Sequence, residues 1–352
     1  MSRDFTYSSS PAHIVFGTGR SVTAGEWVEK LGCSRALVLS TPQQEPDAEA
    51  LAERLGSLAV GVFAGAVMHT PVDVTEKAMD VVRQTKADCV VSLGGGSTTG
   101  LGKAIALRTD LPQIVIPTTY AGSEVTPILG QTESGLKTTV RHASILPEVV
   151  IYDASLTLGL PVGMSVTSSL NAMAHAVEAL YAQDRNPIST LMAVEGLRAF
   201  STSLPGIIAT PRAADLRADA LYGAWLCGTV LGTVGMALHH KICHTLGGTF
   251  DTPHADTHAI MLPHTAAYNA SAVPELLAPV AEIFGGSVGG GLWDFAKRIG
   301  APIALKDLGL VEADLDRAAD IATENPYWNP RPIDRQSIRA LLQDAWEGKR
   351  PA

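Results

Sequence analysis

The chain has 352 residues, of which 46% are hydrophobic and 17% are charged, so it is long and apolar enough for two globular domains with sizeable cores. Its formal net charge of −9 at pH 7 argues against nucleic acid as a partner. The longest uncharged run, residues 222–238, is shorter than the roughly 20 residues that span a bilayer. We therefore expect a buried helix there and no membrane partner.

Cysteine usage and the amino terminus both predict a cytoplasmic protein. The four cysteines lie far apart and form no C-x-x-C pair, which is typical of a reducing compartment and favours neither disulfides nor a structural zinc site. The opening MSRDFTYSSSP lacks the basic and then apolar order of a signal peptide, so no export is expected.

The first half of the chain alternates short β-branched runs with helical patterns such as residues 73–85. Strands are predicted at residues 36–40, 58–63, 88–93, 113–117 and 149–153. This alternation predicts an α/β domain with a mainly parallel sheet over residues 1–159. After LTLGLPVG (156–163) the chain reads as successive helices, which predicts an all-α domain over residues 160–352.

A glycine-rich turn follows the third predicted strand. Gly94, Gly95 and Gly96 come between this strand and a helix, where the backbone N–H groups and the helix N-terminus suit a phosphate. An ordinary tight strand-to-helix turn would look similar, and the G-x-G-x-x-G fingerprint is absent. The next strand leads into a loop with the hydroxyls of Thr118, Thr119 and Ser123, at the same carboxyl edge of the sheet.

The helical half concentrates six of the ten histidines within residues 239–264. Asn171 and His175 share one helix face, one turn apart, and so do His240 and His244. Gly247 and Gly248 are expected to end the second helix, and His254 is expected in the loop that follows. A lone histidine is usually structural, but this cluster favours a polar active site. We expect His258 to be solvated and His264 to cap a turn.

Five motifs in chain order resemble the iron-containing alcohol dehydrogenase superfamily. They are GGGS at 94–97, PTTYAGSEVT at 117–126, LTLGLP at 156–161, N-x-x-x-H at 171–175 and H-x-x-x-H-x-x-G-x-x-x-x-x-x-H at 240–254. Within the superfamily the chain is most similar to the maleylacetate reductases, through GGGSTTGLGKA, Asn171 and NPYWNPRP at 325–332.

The resemblance implies the dehydroquinate synthase-like architecture, with an α/β dinucleotide-binding domain, an all-α domain and NADH or NADPH as the cofactor. The residues that it implies for cofactor binding are Ser40, Thr41, Gly94, Gly95, Gly96, Ser97, Thr118, Thr119, Ser123 and Lys137. Relatives selective for NAD tend to have an acidic residue where this chain has Thr41. We therefore expect both cofactors to be accepted.

Asn171 is the main departure from the metal-dependent relatives, which carry Asp at this position. His175, His240 and His254 match three metal ligands of the family, and His244 matches a histidine near the nicotinamide. Because an amide removes the one anionic ligand, a hard divalent cation is held less well, and we expect that no metal is required. The alternative is that the amide oxygen and three imidazoles still hold a borderline ion such as zinc.

The resemblance implies reduction of the carbon–carbon double bond of maleylacetate to 3-oxoadipate in aromatic-compound degradation. Catalysis is assigned to Asn171 and to the four histidines 175, 240, 244 and 254, with His244 and His254 as the candidates for oxyanion stabilisation and proton donation. The candidates for binding the small dicarboxylate substrate are Lys241, Arg141, Arg331 and Tyr327. A homodimer is also expected from the family.

Three alternatives remain open on the sequence. A metal-dependent alcohol or polyol dehydrogenase would reduce a carbonyl and would be sensitive to chelators. A cyclase of the dehydroquinate synthase kind would use NAD without net consumption. A nucleotide sensor or scaffold would need cofactor contacts but no acid–base pocket, so the histidine cluster argues against it.

Overall fold

The protein is described by a computed structural model that covers Tyr7, residues 13–133 and residues 136–352, with side chains for all of these except Leu136 and Lys137. These residues divide into two compact units. The first, called the sheet unit, consists of residues 13–160 and Arg212–Leu221. The second, called the helical unit, consists of Tyr7, Pro161–Pro211 and Tyr222–Ala352.

A parallel six-stranded sheet forms the centre of the sheet unit. Its strands are β1 (His13–Phe16), β2 (Ala36–Leu39), β3 (Ala59–Phe63), β4 (Cys89–Gly94), β5 (Gln113–Pro117) and β8 (Val149–Tyr152). Their order across the sheet is β1-β8-β5-β4-β2-β3. The five predicted strands are confirmed. Strand β1 is not predicted from the sequence, because a four-residue edge strand that pairs only with β8 carries too little pattern.

Side chains alternate between the two faces of the sheet and build an apolar cluster on each. Val38 and Val91 belong to one cluster, and their neighbours Leu37 and Val90 belong to the other. The helices of this unit are α1 (Ala24–Lys30), α2 (Glu45–Leu55), α3 (Val72–Thr85) and α4 (Gly96–Thr109). Burial on both faces explains why the strands read as continuous apolar runs.

An antiparallel hairpin of β6 (Ile128–Glu133) and β7 (Leu136–Arg141) follows β5. The sequence does not predict it, because its threonines and charged residues show no clear alternation. Leu129 and Val140 of the hairpin pack with Ala104 of α4, so tertiary contact rather than local pattern stabilises it.

The helical unit contains only helices and loops among its described residues, which confirms the all-α prediction. Helix α7 (Ala214–Thr233) begins in the sheet unit and ends here. The remaining helices are α5 (Val162–Tyr181), α6 (Pro187–Ala209), α8 (Leu238–Phe250), α9 (His254–Ala270), α10 (Pro274–Phe284), α11 (Val288–Arg298), α12 (Asp314–Thr323) and α13 (Arg335–Glu347).

Two expectations about the histidine-rich segment are wrong. Helix α8 continues through Gly247 and Gly248 and ends where Asp251 adopts a left-handed backbone conformation (φ 53°). His254 is the first residue of α9 and does not lie in a loop, because Pro253 serves as the residue that caps its start. Helix α8 tolerates both glycines in its interior. It ends at Asp251, because a residue in the left-handed conformation does not continue a right-handed helix.

The segment Pro274–Arg298 is long and apolar enough, by length and composition alone, to pass as a membrane span, with 44% of its apolar window buried. The bent pair α7–α8 passes the same test if it is counted as one span. Core helices of globular proteins meet this criterion as well, and α10 and α11 are separate helices divided by Gly285 and Gly286. Composition alone therefore does not place this chain in a membrane.

Candidate active site

The three glycines after β4 have different surroundings. Gly94 has φ 155°, and a Cβ there would overlap the hydroxyl of Thr98. A Cβ on Gly95 would lie 2.7 Å from Cγ2 of Thr119. Gly96 is exposed at the start of α4, and a Cβ on it would have no atom within 4 Å. The first two glycines permit close packing, whereas Gly96 leaves open space at a helix N-terminus, which suits a phosphate group.

Gln44 connects the carboxyl ends of the central strands. It lies in the turn after β2, directly beyond the predicted Ser40 and Thr41, and its amide donates to the Thr118 hydroxyl (3.1 Å). The backbone N–H of Thr118 in turn donates to the carbonyl of Gly94 (3.1 Å). The structure thus brings the predicted residues after β2, β4 and β5 together, and the sequence carries no pattern that singles out Gln44.

Lys103 is a second residue that the sequence analysis does not single out, although it belongs to the quoted GGGSTTGLGKA. It is completely buried, and its Nζ donates to the carbonyls of Ser123 and Ile128 and to the Thr126 hydroxyl (2.9 Å). Burial lowers the pKa of Lys103 to about 7. Lys103 therefore ties the loop that carries Ser123 to α4. The side chain of the predicted Lys137 lies outside the described residues.

In the helical unit, α5, α8 and α9 bring the predicted histidines together. The ring centroids of His175 and His240 lie 5.2 Å apart, and those of His240 and His244 lie 5.9 Å apart. His258 connects the remaining predicted ring, because its centroid lies 5.1 Å from His240 and 4.4 Å from His254. We call these five rings, with Asn171, the histidine pocket. They converge because residues three or four apart share one helix face and because α5 and α8 both pack against α9.

Glu178 lies behind the histidine pocket and is only 1% exposed. Its carboxylate accepts from the backbone N–H groups of Ala237 (2.9 Å) and His239 (2.7 Å) at the start of α8, and from Nδ1 of His240 (2.6 Å). A carboxylate at a helix N-terminus complements the helix dipole, and here it also orients the His240 ring. The sequence shows Glu178 only as a charged residue one turn after His175 on an apolar helix, and it does not indicate which groups this carboxylate contacts.

Burial lowers the pKa of His175 well below its ordinary value, and neighbouring imidazoles add to this effect. The same causes lower the pKa of His239 and of His258. These three rings are therefore neutral at neutral pH. The expectation that His258 is solvated is wrong, since it is 0% exposed, and His264 lies buried inside α9 and caps no turn.

Several polar atoms of the histidine pocket are buried and have no hydrogen-bond partner among the described residues. They are Asn171 Oδ1, His175 Nδ1, His240 Nε2 and His258 Nε2. Orphaned buried polar atoms are costly unless a ligand satisfies them. An amide oxygen and imidazole nitrogens in one pocket are donors of the kind that borderline metal ions accept.

The four predicted substrate-binding residues do not all lie together: Tyr327 and Lys241 lie near His244, whereas Arg331 and Arg141 have other surroundings. Tyr327 Oη lies 3.4 Å from Nδ1 of His244, and Lys241 Nζ lies 6.0 Å from the Tyr327 ring centroid. The Arg331 guanidinium instead stacks on the ring of Tyr268 (3.9 Å) and donates to the carbonyl of that residue. Arg141 is an exposed residue at the end of β7 in the sheet unit.

Sequence models of two family segments match this chain. Residues 11–154 match the model described as iron-containing alcohol dehydrogenase, and residues 165–346 match the C-terminal segment of the Fe-containing alcohol dehydrogenase family. The chain belongs to the iron-containing alcohol dehydrogenase family. The resemblance predicted from the motifs, and the two-part architecture that it implies, are confirmed.

Relatives within this family are similar over their full length. A protein named maleylacetate reductase from Rhizobium sp. (strain MTP-10005) is 68% identical over 99% of both chains, and one from Burkholderia cepacia is 51% identical over 99% of both. A crystal structure of the Rhizobium maleylacetate reductase matches with a TM-score of 0.96 over 99% of this chain and 100% of that one. A 1,3-propanediol oxidoreductase structure at 26% identity has a TM-score of 0.91, covering 97% and 100% of the two chains.

The residues of this chain fit both groups that an iron-containing alcohol dehydrogenase implies. The open space at Gly96, on the N-terminus of α4, fits the pyrophosphate of a dinucleotide. In the histidine pocket, Glu178 faces Nδ1 of His240 and leaves Nε2 unpartnered, which is the arrangement that a metal-binding imidazole needs. Asn171 supplies an orphaned oxygen but no negative charge, so the set suits a borderline ion better than a hard one.

One family position of the sheet unit departs from the common pattern. Gly100 stands where many iron-containing alcohol dehydrogenases have Asp in the segment G-G-G-S-x-x-D. A Cβ on Gly100 would overlap the hydroxyl of Thr70, which is buried and has φ 46°. The Thr70 side chain therefore occupies the space that a larger residue at 100 would need.

Proposed function

We propose that this chain is an NAD(P)H-dependent maleylacetate reductase, which reduces the carbon–carbon double bond of maleylacetate to give 3-oxoadipate in the breakdown of aromatic compounds. The observation that carries this proposal is the 68% identity, over 99% of both chains, to a protein with that name. The neutral Asn171 and the loop NPYWNPRP agree with it.

NAD(P)H, when bound, supplies the hydride that adds to the alkene carbon β to the ketone. Gly94, Gly95, Gly96 and Ser97, with the N-terminus of α4, bind the pyrophosphate through backbone N–H groups. The parts of the dinucleotide other than the pyrophosphate are lined by Ser40 and Thr41, at and after the end of β2, and by Thr118, Thr119 and Ser123 after β5. Because neither Ser40 nor Thr41 is acidic, neither of these side chains repels a 2′-phosphate, so both NADH and NADPH are accepted.

The histidine pocket meets the charge that develops on the substrate. Addition at the β carbon moves an electron pair into the ketone as an enolate, and a proton added at the α carbon completes the reduction. His244 and His254 are half-buried, so they remain accessible to protons and act as the oxyanion and proton donors. Lys241 and Tyr327, beside His244, offer a cation and a hydroxyl to one carboxylate of the substrate.

The proposal includes turnover that does not require a metal. A divalent ion, when bound, would be held by His175, His240 and His254 with the amide oxygen of Asn171, and would supply Lewis-acid polarisation of the ketone. The neutral amide at 171 supports independence from it, because the pocket lacks an anionic ligand. Elemental analysis and turnover before and after exhaustive chelation test this point. A tightly held ion whose removal abolishes turnover and whose return restores it would overturn metal independence.

The substrate is tested by following NADH absorbance with maleylacetate, with simple aldehydes and with ketones, in parallel. We expect rapid NADH loss with maleylacetate and little with the carbonyl compounds. Loss only with aldehydes would assign the chain to the alcohol dehydrogenases, and ring formation without net NADH loss would assign it to the cyclases.

Location and assembly belong to the same proposal. The four cysteines are free and buried, which supports a reducing compartment such as the cytoplasm. We propose a homodimer, with no nucleic acid or membrane partner, and light scattering of the purified protein measures the mass directly.

A further inference from the structure

A buried cluster of the sheet unit surrounds Lys103, which the proposed mechanism does not use. Lys103 lies on α4 and is 0% exposed. Its Nζ donates to four groups of the segment that follows β5. They are the carbonyls of Ser123 and Ile128, the Thr126 hydroxyl (2.9 Å) and the Ser123 hydroxyl (3.3 Å). Burial of an ammonium is costly unless hydrogen bonds satisfy it, and this one segment supplies them.

The hydrogen bonds of this cluster favour the charged form of Lys103. The two carbonyls can only accept, and the Thr126 hydroxyl gives its own proton to the Ser123 carbonyl (3.0 Å). These three acceptors match the three N–H groups of an ammonium. Burial lowers the pKa of Lys103 to about 7, and the buried Glu124 opposes this shift. Hydrogen bonds to the charged form stabilise that form as well.

The ammonium decides the direction of the Ser123 hydroxyl. Because an ammonium has no lone pair, the hydroxyl presents its oxygen to Nζ and its proton elsewhere. Ser123 is half-buried, so its side chain remains accessible to a ligand. The Ser123 proton can therefore be donated to an oxygen of a dinucleotide at this edge of the sheet.

Other buried groups hold the same loop, residues 118–126, which we call the cofactor loop. Tyr120 is 0% exposed, and its hydroxyl accepts from the buried guanidinium of Arg217 (3.1 Å). Glu124 is 2% exposed and accepts from the hydroxyl of Tyr152 (2.8 Å). A loop that is already ordered loses less entropy when a ligand binds.

We propose that Lys103 is a positioning residue for the cofactor: its buried ammonium fixes the cofactor loop and directs the hydroxyl proton of Ser123 to NAD(P)H. For the identity of the ligand this inference rests on the proposed function. The competing explanation is a purely structural role, in which Lys103 only stabilises the sheet unit. The two explanations differ in whether the effect of removing Lys103 depends on the Ser123 hydroxyl.

The first test is a double-variant cycle on NADH affinity, measured by calorimetric titration without substrate. Lys103→Met keeps an unbranched side chain but removes the N–H donors, and we expect the Kd for NADH to rise about tenfold, as when a hydrogen bond to a charged group is lost. Ser123→Ala should raise it by a similar factor. Because both changes remove one interaction, the double variant should bind within about twofold of the weaker single variant. Losses that multiply in the double variant overturn the inference.

The matched control is Arg108→Met, which removes another cation of α4. The Arg108 guanidinium contacts Glu76 (3.3 Å), the carbonyl of Ala104 (2.9 Å) and the side chain of Gln131 (3.5 Å), all outside the cofactor loop. We expect wild-type NADH affinity in this variant. An unchanged affinity in folded Lys103→Met, or an equal loss in the control, overturns the inference.

The second test is hydrogen exchange of the protein without cofactor, followed by mass spectrometry. In the cofactor loop the backbone N–H groups of Val125 and Thr126 donate to the carbonyls of Gly122 and Ser123 (3.5 and 3.2 Å). In Lys103→Met we expect these amides to exchange at least about tenfold faster, with the amides of β2 unchanged. Unchanged exchange in the loop, or equal acceleration in β2, overturns the inference in favour of the structural role.

If Lys103→Met does not fold, Thr126→Val takes its place in the cycle, since it removes one acceptor of the ammonium, and the same outcomes decide. A wild type that binds NADH but does not reduce maleylacetate counts against the proposed function alone. An active wild type whose NADH affinity does not depend on Lys103 counts against this inference alone. A wild type that binds neither NADH nor NADPH overturns both.

Discussion

At the scale of single residues, neighbouring glycines of one loop have different reasons to be glycine. Gly94 needs its positive φ, and Gly95 needs space beside Thr119, so substitution of either disturbs the protein itself. Gly96 has neither constraint. A substitution at Gly96 can therefore weaken cofactor binding without disturbing the fold, whereas a substitution at Gly95 also disturbs the fold.

We predict that Gly96→Val weakens NADH binding by at least about tenfold, because a branched side chain enters the space of the pyrophosphate. The thermal unfolding midpoint should stay close to that of the wild type. Calorimetric titration measures the affinity. The control is Gly163→Val, at an exposed position in the first turn of α5 that also has no atom within 4 Å of a Cβ. Wild-type affinity in Gly96→Val would refute the phosphate site.

We predict that Asn171→Asp raises the affinity for Zn²⁺ by about tenfold or more, because it adds an anionic ligand one turn from His175. It should also lower turnover with maleylacetate, since the new charge repels a dianion. Competition with a chelating dye measures the affinity. Asn171→Ala, which adds no charge, should not raise it. An unchanged affinity in Asn171→Asp would show that position 171 does not face the imidazoles.

At the scale of elements, residues 325–332 are held on α9 as a unit. The side-chain amides of Asn329 and Asn269 exchange two hydrogen bonds (2.9 and 2.7 Å), although the residues are 60 positions apart. The Tyr268 hydroxyl donates to the carbonyl of Pro332 (2.6 Å), and Arg331 stacks on the Tyr268 ring. These contacts fix the loop that brings Tyr327 to His244.

We predict that Asn329→Ala lowers the free energy of unfolding by about 1–3 kcal/mol, because it removes the two hydrogen bonds that the fully buried Asn269 amide makes with Asn329. The KM for maleylacetate should rise, since Tyr327 is no longer held beside His244. Urea unfolding and steady-state kinetics measure the two effects. Gln336→Ala removes an exposed amide at the start of α13 and should change stability by less than about 0.5 kcal/mol. A normal KM in Asn329→Ala would remove Tyr327 from the substrate site.

At the scale of the whole molecule, buried histidines make stability depend on pH. Burial lowers the pKa of His264 to about 4 from an ordinary value of 6.5, and it lowers the pKa values of His175, His239 and His258 in the same direction. As the pH falls below 6.5 the unfolded chain binds protons that the folded chain does not. Stability is therefore complete above this pH and is lost as the pH falls toward 4.

We predict that each of these histidines costs about 1.4 kcal/mol of stability per pH unit within this window. Urea midpoints measured at about pH 7 and about pH 5 give the slope. His264→Gln should remove one proton from the slope. A slope of opposite sign would contradict the burial of these rings.

The sequence alone determined the α/β and all-α parts, the family and most residues of the histidine pocket. Buried strands are short apolar runs, and helix faces repeat every three or four residues, so local pattern was enough for 171, 175, 240 and 244. It did not predict β1 or the hairpin, because their stability depends on contacts distant in the chain. It also missed the start of α9 at His254, where Pro253 is the N-cap residue.

Only the tertiary structure decided which residues support the site. Glu178 acts on residues 59 to 62 positions away, and Gln44 acts on Thr118, 74 positions away. His239 contacts Thr265, 26 positions away, and His258, 19 positions away, although both of these residues lie on another helix. Such roles arise from hydrogen-bond direction across packed elements, which leaves no period or motif along the chain.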